Sequence, residues 1–193
     1  MPSNHRRRVL EPVVADPGML VHPASERRSA AEHWLLAALP PPGRDRARLE
    51  WEQHGVALLP LGTRFSAVRI PRCLVVALTG SAEALDLDDF MQQALDGGPV
   101  ICDPQFLRYY ALVPAGMPRT WSQAVDDWRA LDVDCLGLGS FLGVPRVDAL
   151  VRTPARAPYW SVPMESDATL CRPLKAARLI AAARHCMSTE PKE

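Results

Sequence analysis

The sequence predicts a mixed α/β (α+β) fold in which a layered sheet is flanked by helices. Short apolar runs bounded by Gly and Pro alternate along the chain with segments of helical spacing. The chain of 193 residues contains 48% apolar and 23% charged residues, which is typical of a globular protein with a sizeable core. We therefore expect a single layered domain.

The ends of the chain lack the apolar periodicity of its centre. Residues 1–24 combine turn formers and charges without periodicity, which predicts a flexible N-terminal arm. The single domain is expected over residues 25–186, followed by a disordered tail at residues 187–193. No apolar run is long enough to span a membrane and no signal-peptide core is visible, so we expect a cytoplasmic chain without a membrane partner.

Two short strands are predicted around a turn at residues 62–64, where Gly62 can adopt a positive φ. The first run, residues 56–61, is continuously apolar and suits a strand buried on both faces. The second run, residues 65–70, carries Ser66 and Arg69 among apolar residues. An ordinary hairpin with these polar residues facing solvent remains an alternative.

The other elements follow from apolar periodicity and from capping or terminating residues. Pro71 favours a helix after the second strand, and acidic residues at the start of the following helix are interpreted as stabilising its dipole rather than as a metal cluster. Helices are predicted from Ser25 onward and over residues 44–54, 72–78, 86–95, 121–130 and 173–186. Strands are predicted over residues 99–103, 109–114 and 131–136, with an extended segment at residues 159–163.

Motifs for common chemistries are missing from the sequence. Glycines at 137, 139 and 143 do not have the spacing of a dinucleotide fingerprint, no Walker lysine occurs, and no two of the five histidines are close in sequence. The five widely spaced cysteines, without a C-x-x-C pair, predict reduced and mostly buried thiols. The net charge of zero gives no global basic field for nucleic acid.

One carboxylate pair lies on a predicted strand. Strand alternation would direct Asp132 and Asp134 to the same face, about 6–7 Å apart, a separation suited to shared metal ions. A solvated strand edge is the alternative interpretation of this pair.

Taken in order, several of these segments resemble the primase–polymerase domain of the archaeo-eukaryotic primase superfamily, in the small bifunctional DNA primase/polymerase form common in actinobacteria. The resemblance extends over about residues 50–186. It is carried by the strand–turn–strand at residues 58–71, the Gly-Pro-Val segment at residues 98–100, the aromatic segment at residues 108–116 and the strand and glycine-rich loop at residues 134–145.

The resemblance implies a degenerate active site. Polymerising members look like two-metal enzymes that hold Mg²⁺ or Mn²⁺ on strand carboxylates. The first-strand aspartates would fall at Ser66 and Arg69, and the family's phosphate-contacting histidine element becomes residues 108–110. Only Asp134 remains at a ligand position, with Asp132 beside it, so we expect loss of polymerising activity and no metal cofactor.

Three hypotheses follow from this resemblance. In the first, the domain binds nucleic acid or nucleotide without polymerising, through Arg64, Arg69, Arg108 and Arg146, with Arg69 replacing a metal. In the second, it is an active nucleotidyltransferase that uses Mg²⁺ or Mn²⁺ at Asp132 and Asp134.

In the third hypothesis the fold is a scaffold or regulatory module that binds a protein partner through the N-terminal helix or residues 159–160. The position of the arginines distinguishes the first hypothesis from the third. Convergence of Arg64, Arg69 and Arg108 in one concavity would favour nucleotide phosphate, whereas dispersed arginines would favour the scaffold.

Overall fold

The computed structural model describes residues 24–153 and 155–189. The predicted N-terminal arm lies outside these ranges apart from Ala24, the first residue of the first helix. The predicted tail lies outside them from residue 190 onward. Residues 187–189 belong to the last helix, so the expected domain end at residue 186 falls three residues short.

The mixed α+β class is confirmed. The α-helices of the described chain are α1 (Ala24–Leu36), α2 (Pro41–His54), α3 (Arg72–Thr79), α4 (Ala84–Ala94), α5 (Met117–Thr120), α6 (Ser122–Trp128) and α7 (Pro173–Thr189). The strands are β1 (Val56–Pro60), β2 (Phe65–Pro71), β3 (Val100–Asp103), β4 (Arg108–Pro114), β5 (Asp134–Leu136), β6 (Phe141–Pro145) and β7 (Tyr159–Val162). Among these elements, α5 and β6 differ from the prediction, since no helix is predicted over residues 117–120 and residues 141–145 belong to the predicted glycine-rich loop.

The strands form two antiparallel sheets. A five-stranded sheet has the order β5–β2–β4–β3–β7, and β1 pairs with β6 in a separate two-stranded sheet. One face of the large sheet is covered by α3, α4, α6 and α7, and we call it the α3–α7 face. The other face packs against α1, α2 and the small sheet, and we call it the α1–α2 face. The domain therefore has three layers.

The predicted pairing of the first two strands is wrong. β1 and β2 are consecutive in the chain, yet they belong to different sheets. β1 alternates between buried and exposed positions, with Leu58 61% exposed, because only one side of the small sheet faces the core. β2 is the strand with both faces buried, since it is internal to the large sheet and lies between two helical layers.

The helices bury the residues that their spacing indicated, with one exception. Ala47 and Trp51 of α2 face the core, and the Trp51 indole N–H donates a 2.8 Å hydrogen bond to the Val144 carbonyl of the small sheet. The exception is Leu174, which the apolar spacing of the helix predicted over residues 173–186 places in the core but which is exposed at the start of α7. None of the helices in the described ranges has both the length and the apolar character required to cross a membrane.

Within the described residues no disulfide joins the five cysteines, although their burial is less uniform than expected. Cys102 and Cys171 are buried and Cys73 is exposed. Burial raises the pKa of the Cys102 thiol to about 11 and that of the Cys171 thiol to about 12, so neither forms a thiolate near neutral pH.

We expect Ellman's reagent at pH 8 to modify Cys73 rapidly and to modify Cys102 and Cys171 only when the protein unfolds. Mass spectrometry of modified peptides would assign each rate, and the Cys73→Ser variant should lose the Cys73 phase. Modification of Cys171 as rapid as that of Cys73 would contradict this assignment of the core.

Candidate functional site

Three adjacent strands bring together the charged residues that the sequence singled out. In the antiparallel register, Arg69 of β2 lies opposite both Tyr110 of β4 and Asp134 of β5. Directly opposed residues share a face of the sheet, as do residues two apart on one strand, so Arg108 joins them. These side chains lie on the α1–α2 face, at an end of β2 that the covering layer leaves partly open.

The charged groups at this end form one ion-pair network of Arg69, Arg108, Asp132 and Asp134. The Asp132 carboxylate bridges the two arginines, 3.3 Å from Nη2 of Arg69 and 2.7 Å from Nη2 of Arg108. Nη2 of Arg69 also donates a short hydrogen bond to the Asp134 carboxylate. All four side chains are partly exposed, so each pair contributes only about 1 kcal/mol or less to stability.

The backbone conformation that brings Asp132 into the network differs from the predicted strand. The predicted strand at residues 131–136 begins only at Asp134, and Asp132 terminates a short 3-10 helix at Arg129–Leu131 with a left-handed φ of 56°. Strand alternation therefore does not align the two carboxylates. The backbone turn does so instead, with Val133 buried between them.

Two further polar residues, Asp103 and Tyr110, lie beside the network on neighbouring strands. Asp103 lies opposite Arg108 in the register, and Tyr110 lies opposite Arg69. Burial raises the pKa of the Tyr110 phenol and the charge of Asp103 raises it further, while Arg69 and Arg108 lower it. A neutral phenol thus stands among the ionised groups. Strand alternation counted from Arg108 indicates Tyr110, whereas Asp103 joins the site only through the pairing of β3 with β4.

Ser66 does not belong to this site. It lies three residues before Arg69 on β2, so its side chain projects to the opposite, α3–α7 face. Ser66 is fully buried and its hydroxyl donates a 3.0 Å hydrogen bond to the Ala115 carbonyl. The expectation that Ser66 and Arg69 mark two metal-ligand positions of one site is therefore wrong for Ser66.

The four arginines predicted to bind phosphate do not converge. Arg64 lies in the turn before β2, at the opposite end of that strand from Arg69. Arg146 follows β6 and forms a two-point ion pair with Asp148 at 2.9 and 3.0 Å, which lowers the pKa of the Asp148 carboxyl. Only Arg69 and Arg108 are neighbours, and both already pair with carboxylates.

The two surfaces predicted for a protein partner differ in how far packing covers them. Tyr159 and Trp160 are buried in β7, and the Trp160 indole donates to the Arg146 carbonyl. In α1, Leu35 is fully buried, and the ring of Trp34 lies 5.7 Å from that of Phe65. Residues 159–160 therefore belong to the core, whereas α1 buries one face through Ala31, Leu35 and Leu36 and leaves residues 24–29 exposed.

The residues present do not fit a divalent metal ion. Hard cations require several oxygen ligands, whereas the guanidinium of Arg69 occupies the space between the Asp132 and Asp134 carboxylates. The Asp132 and Asp134 carboxylates pair with the two guanidinium groups, and the Asp103 carboxylate accepts hydrogen bonds from the backbone N–H groups of Gln105 and Phe106. Within residues 24–153 and 155–189, no group of three or more His, Cys, Asp or Glu side chains is arranged to hold a metal.

Comparisons of the chain with protein-family models, with curated proteins and with solved structures found no match.

Proposed function

We propose that this chain is a non-polymerising domain of the primase–polymerase type that acts as a scaffold or regulatory module. The observation that carries the proposal is the ion-pair network. Arg69 pairs with both Asp132 and Asp134, and Arg108 pairs with Asp132. In a polymerising enzyme the equivalent carboxylates would have to hold divalent ions on a nucleotide's phosphates.

The network opposes metal binding for two physical reasons. A cation approaching Asp132 and Asp134 would meet the positive charge of Arg69 at the same oxygens. Displacing Arg69 would leave its guanidinium partly buried without a counter-ion, and its Nε already has no hydrogen-bond partner among the described residues. These costs favour the ion-paired state over a metal-bound one.

Exposed apolar side chains support a protein partner. Leu58 of β1 and Phe141 of β6 are 61% and 64% exposed. They line a groove of about 380 Å³ between α2 and the small sheet, together with Leu39, Gly43, Ala47 and the Arg46–Glu50 ion pair, whose charges cancel. A groove of this composition suits an apolar segment of another protein better than a polyanion.

Binding of nucleic acid or nucleotide is the second candidate, and Arg64 is the observation that favours it. Within the described residues Arg64 forms no ion pair, and it lies in an exposed turn. Affinity for single-stranded DNA that falls with salt and is lost in Arg64→Ala would favour this candidate over the scaffold.

The Arg69→Asp variant tests the proposal. Removing the guanidinium and adding a third carboxylate beside Asp132 and Asp134 should create a weak divalent-cation site. We expect Mn²⁺ to bind this variant and to raise its melting temperature, and we expect neither effect in the wild-type protein. Loss of free Mn²⁺ signal in electron paramagnetic resonance would measure binding.

The matched control is Arg64→Asp, which changes the net charge equally on a distant turn and should bind no Mn²⁺. If Arg69→Asp did not bind Mn²⁺, the ion-pair network would not lie where a polymerising enzyme holds its metal ions. That result would contradict the proposal. Metal-dependent nucleotide incorporation by the wild-type protein on a primed template would overturn the proposal outright.

A further inference from the structure

A second charged site lies on the other face of the large sheet, where no motif had been recognised. Its core is a cavity of about 160 Å³ beside the turn that joins β3 to β4. Three arginines line it, namely Arg72 at the start of α3 and Arg152 and Arg156 in the segment before β7. We call it the arginine cavity.

The walls of the arginine cavity are well ordered by packing. Cys102, Tyr109 and Tyr159 are buried residues of β3, β4 and β7 that face this side of the sheet. Arg72 is held in place because its guanidinium donates to the Ala82 carbonyl and its backbone N–H donates to the Leu107 carbonyl. The first residue of α4, Ala84, completes the lining and places the positive end of that helix dipole nearby.

The arginines of this cavity differ from those of the ion-pair network because carboxylates do not neutralise them. Among residues 24–153 and 155–189, none of Arg72, Arg152 and Arg156 forms an ion pair within 4.0 Å. Asp88 accepts hydrogen bonds from Tyr159 and Ser161, and its charge interacts with that of Arg152, so it offsets only part of the charge of the three arginines. The cavity therefore holds an excess of positive charge.

The thiol and the two phenols that line the cavity do not offset that charge. Burial raises the pKa of the Cys102 thiol to about 11, and it raises the pKa of the Tyr109 and Tyr159 phenols as well. These three groups are consequently neutral at physiological pH and present no negative charge to an entering anion.

We propose that the arginine cavity binds the phosphate group of a small phosphomonoester. Arginine forks match phosphate oxygens in geometry and charge, and three of them around one cavity can contact a dianion from several sides. A cavity of about 160 Å³ has room for a phosphate group whose ester substituent projects into solvent. This site goes beyond the proposed scaffold function and shares no residue with the ion-pair network.

Isothermal titration calorimetry with inorganic phosphate and with AMP tests the proposal at pH 8, where both are dianions. We expect both to bind the wild-type protein, and we expect the Arg152→Ala, Arg156→Ala double variant to bind at least about tenfold more weakly, since charge-assisted hydrogen bonds are lost. Both arginines are exposed, so the double variant should fold normally, which its circular dichroism spectrum would verify.

The matched control is Arg119→Ala, which removes an exposed arginine of α5 that does not line the cavity and should leave the affinity unchanged. Equal affinities for phosphate and AMP would assign recognition to the phosphate group alone, and tighter AMP binding would add nucleoside contacts; both results support the site. Absence of phosphate binding, or equal weakening in the double variant and the control, would overturn it. Arg69→Asp should leave phosphate binding unchanged, so failure of this proposal is distinguishable from failure of the proposed function.

Discussion

The Ser66→Asp variant should lose about 3–5 kcal/mol of its free energy of unfolding, because it places a carboxylate where no cation can pair with it. Ser66 is fully buried on the α3–α7 face, and its hydroxyl donates to the Ala115 carbonyl. An ionised aspartate cannot donate that hydrogen bond and would face the carbonyl oxygen instead. A loss of this size is a large fraction of the 5–15 kcal/mol typical of a domain, and urea denaturation followed by circular dichroism would measure it.

The Ser66→Ala variant separates the missing hydrogen bond from the buried charge. It should cost only about 1 kcal/mol, because it removes the donor without adding a charge. If Ser66→Asp were as stable as the wild type and bound Mn²⁺, Ser66 would have to face the same site as Arg69. That result would reject the assignment of these two residues to opposite faces of β2.

The contrast between β1 and β2 shows how far local sequence determines this fold. Both runs were recognised as strands because apolar residues between Gly and Pro favour extended structure. Their partners could not be predicted, since β1 pairs with β6, which lies far along the chain. Leu58 therefore appeared to be a core residue, although it lies on the outer side of a two-stranded sheet. Periodicity reports burial within an element, while pairing depends on long-range packing.

The candidate site could also be predicted only in part, because local sequence indicates which residues belong to it but not which side chains contact each other. The resemblance to a two-metal domain places Arg69 and Asp134 in one site. The neighbourhood of Asp132 and Asp134 was also anticipated, although alternation was the wrong reason, because Asp132 occupies a left-handed turn. Nothing in the spacing indicated that Asp132 would bridge Arg69 and Arg108. That bridge depends on the register of three strands, which places residues distant in sequence side by side.

Gly62→Ala should be strongly destabilising, with an expected loss of roughly 2–5 kcal/mol from backbone strain and steric overlap combined. Gly62 has a φ of 89°, a conformation that alanine rarely adopts. A Cβ atom at this position would also lie 2.6 Å from the Leu138 Cα and closer still to the Leu138 backbone nitrogen. Neither backbone atom can move freely, because the adjacent Leu61 N–H donates a 2.9 Å hydrogen bond to the Ser140 carbonyl in the same loop.

Gly139→Ala is a close control for the steric part of this effect. Gly139 lies in the same contact region with a φ of 87°, but a Cβ atom there would meet no atom within 4 Å. It should therefore lose only the conformational cost of about 1–2 kcal/mol. Equal losses for the two variants in urea denaturation would mean that the 62–64 turn does not pack against the 137–140 loop. A larger loss for Gly62→Ala would instead show that the turn between β1 and β2 packs against the loop between β5 and β6. The two connections lie together because β1 pairs with β6 and β2 pairs with β5.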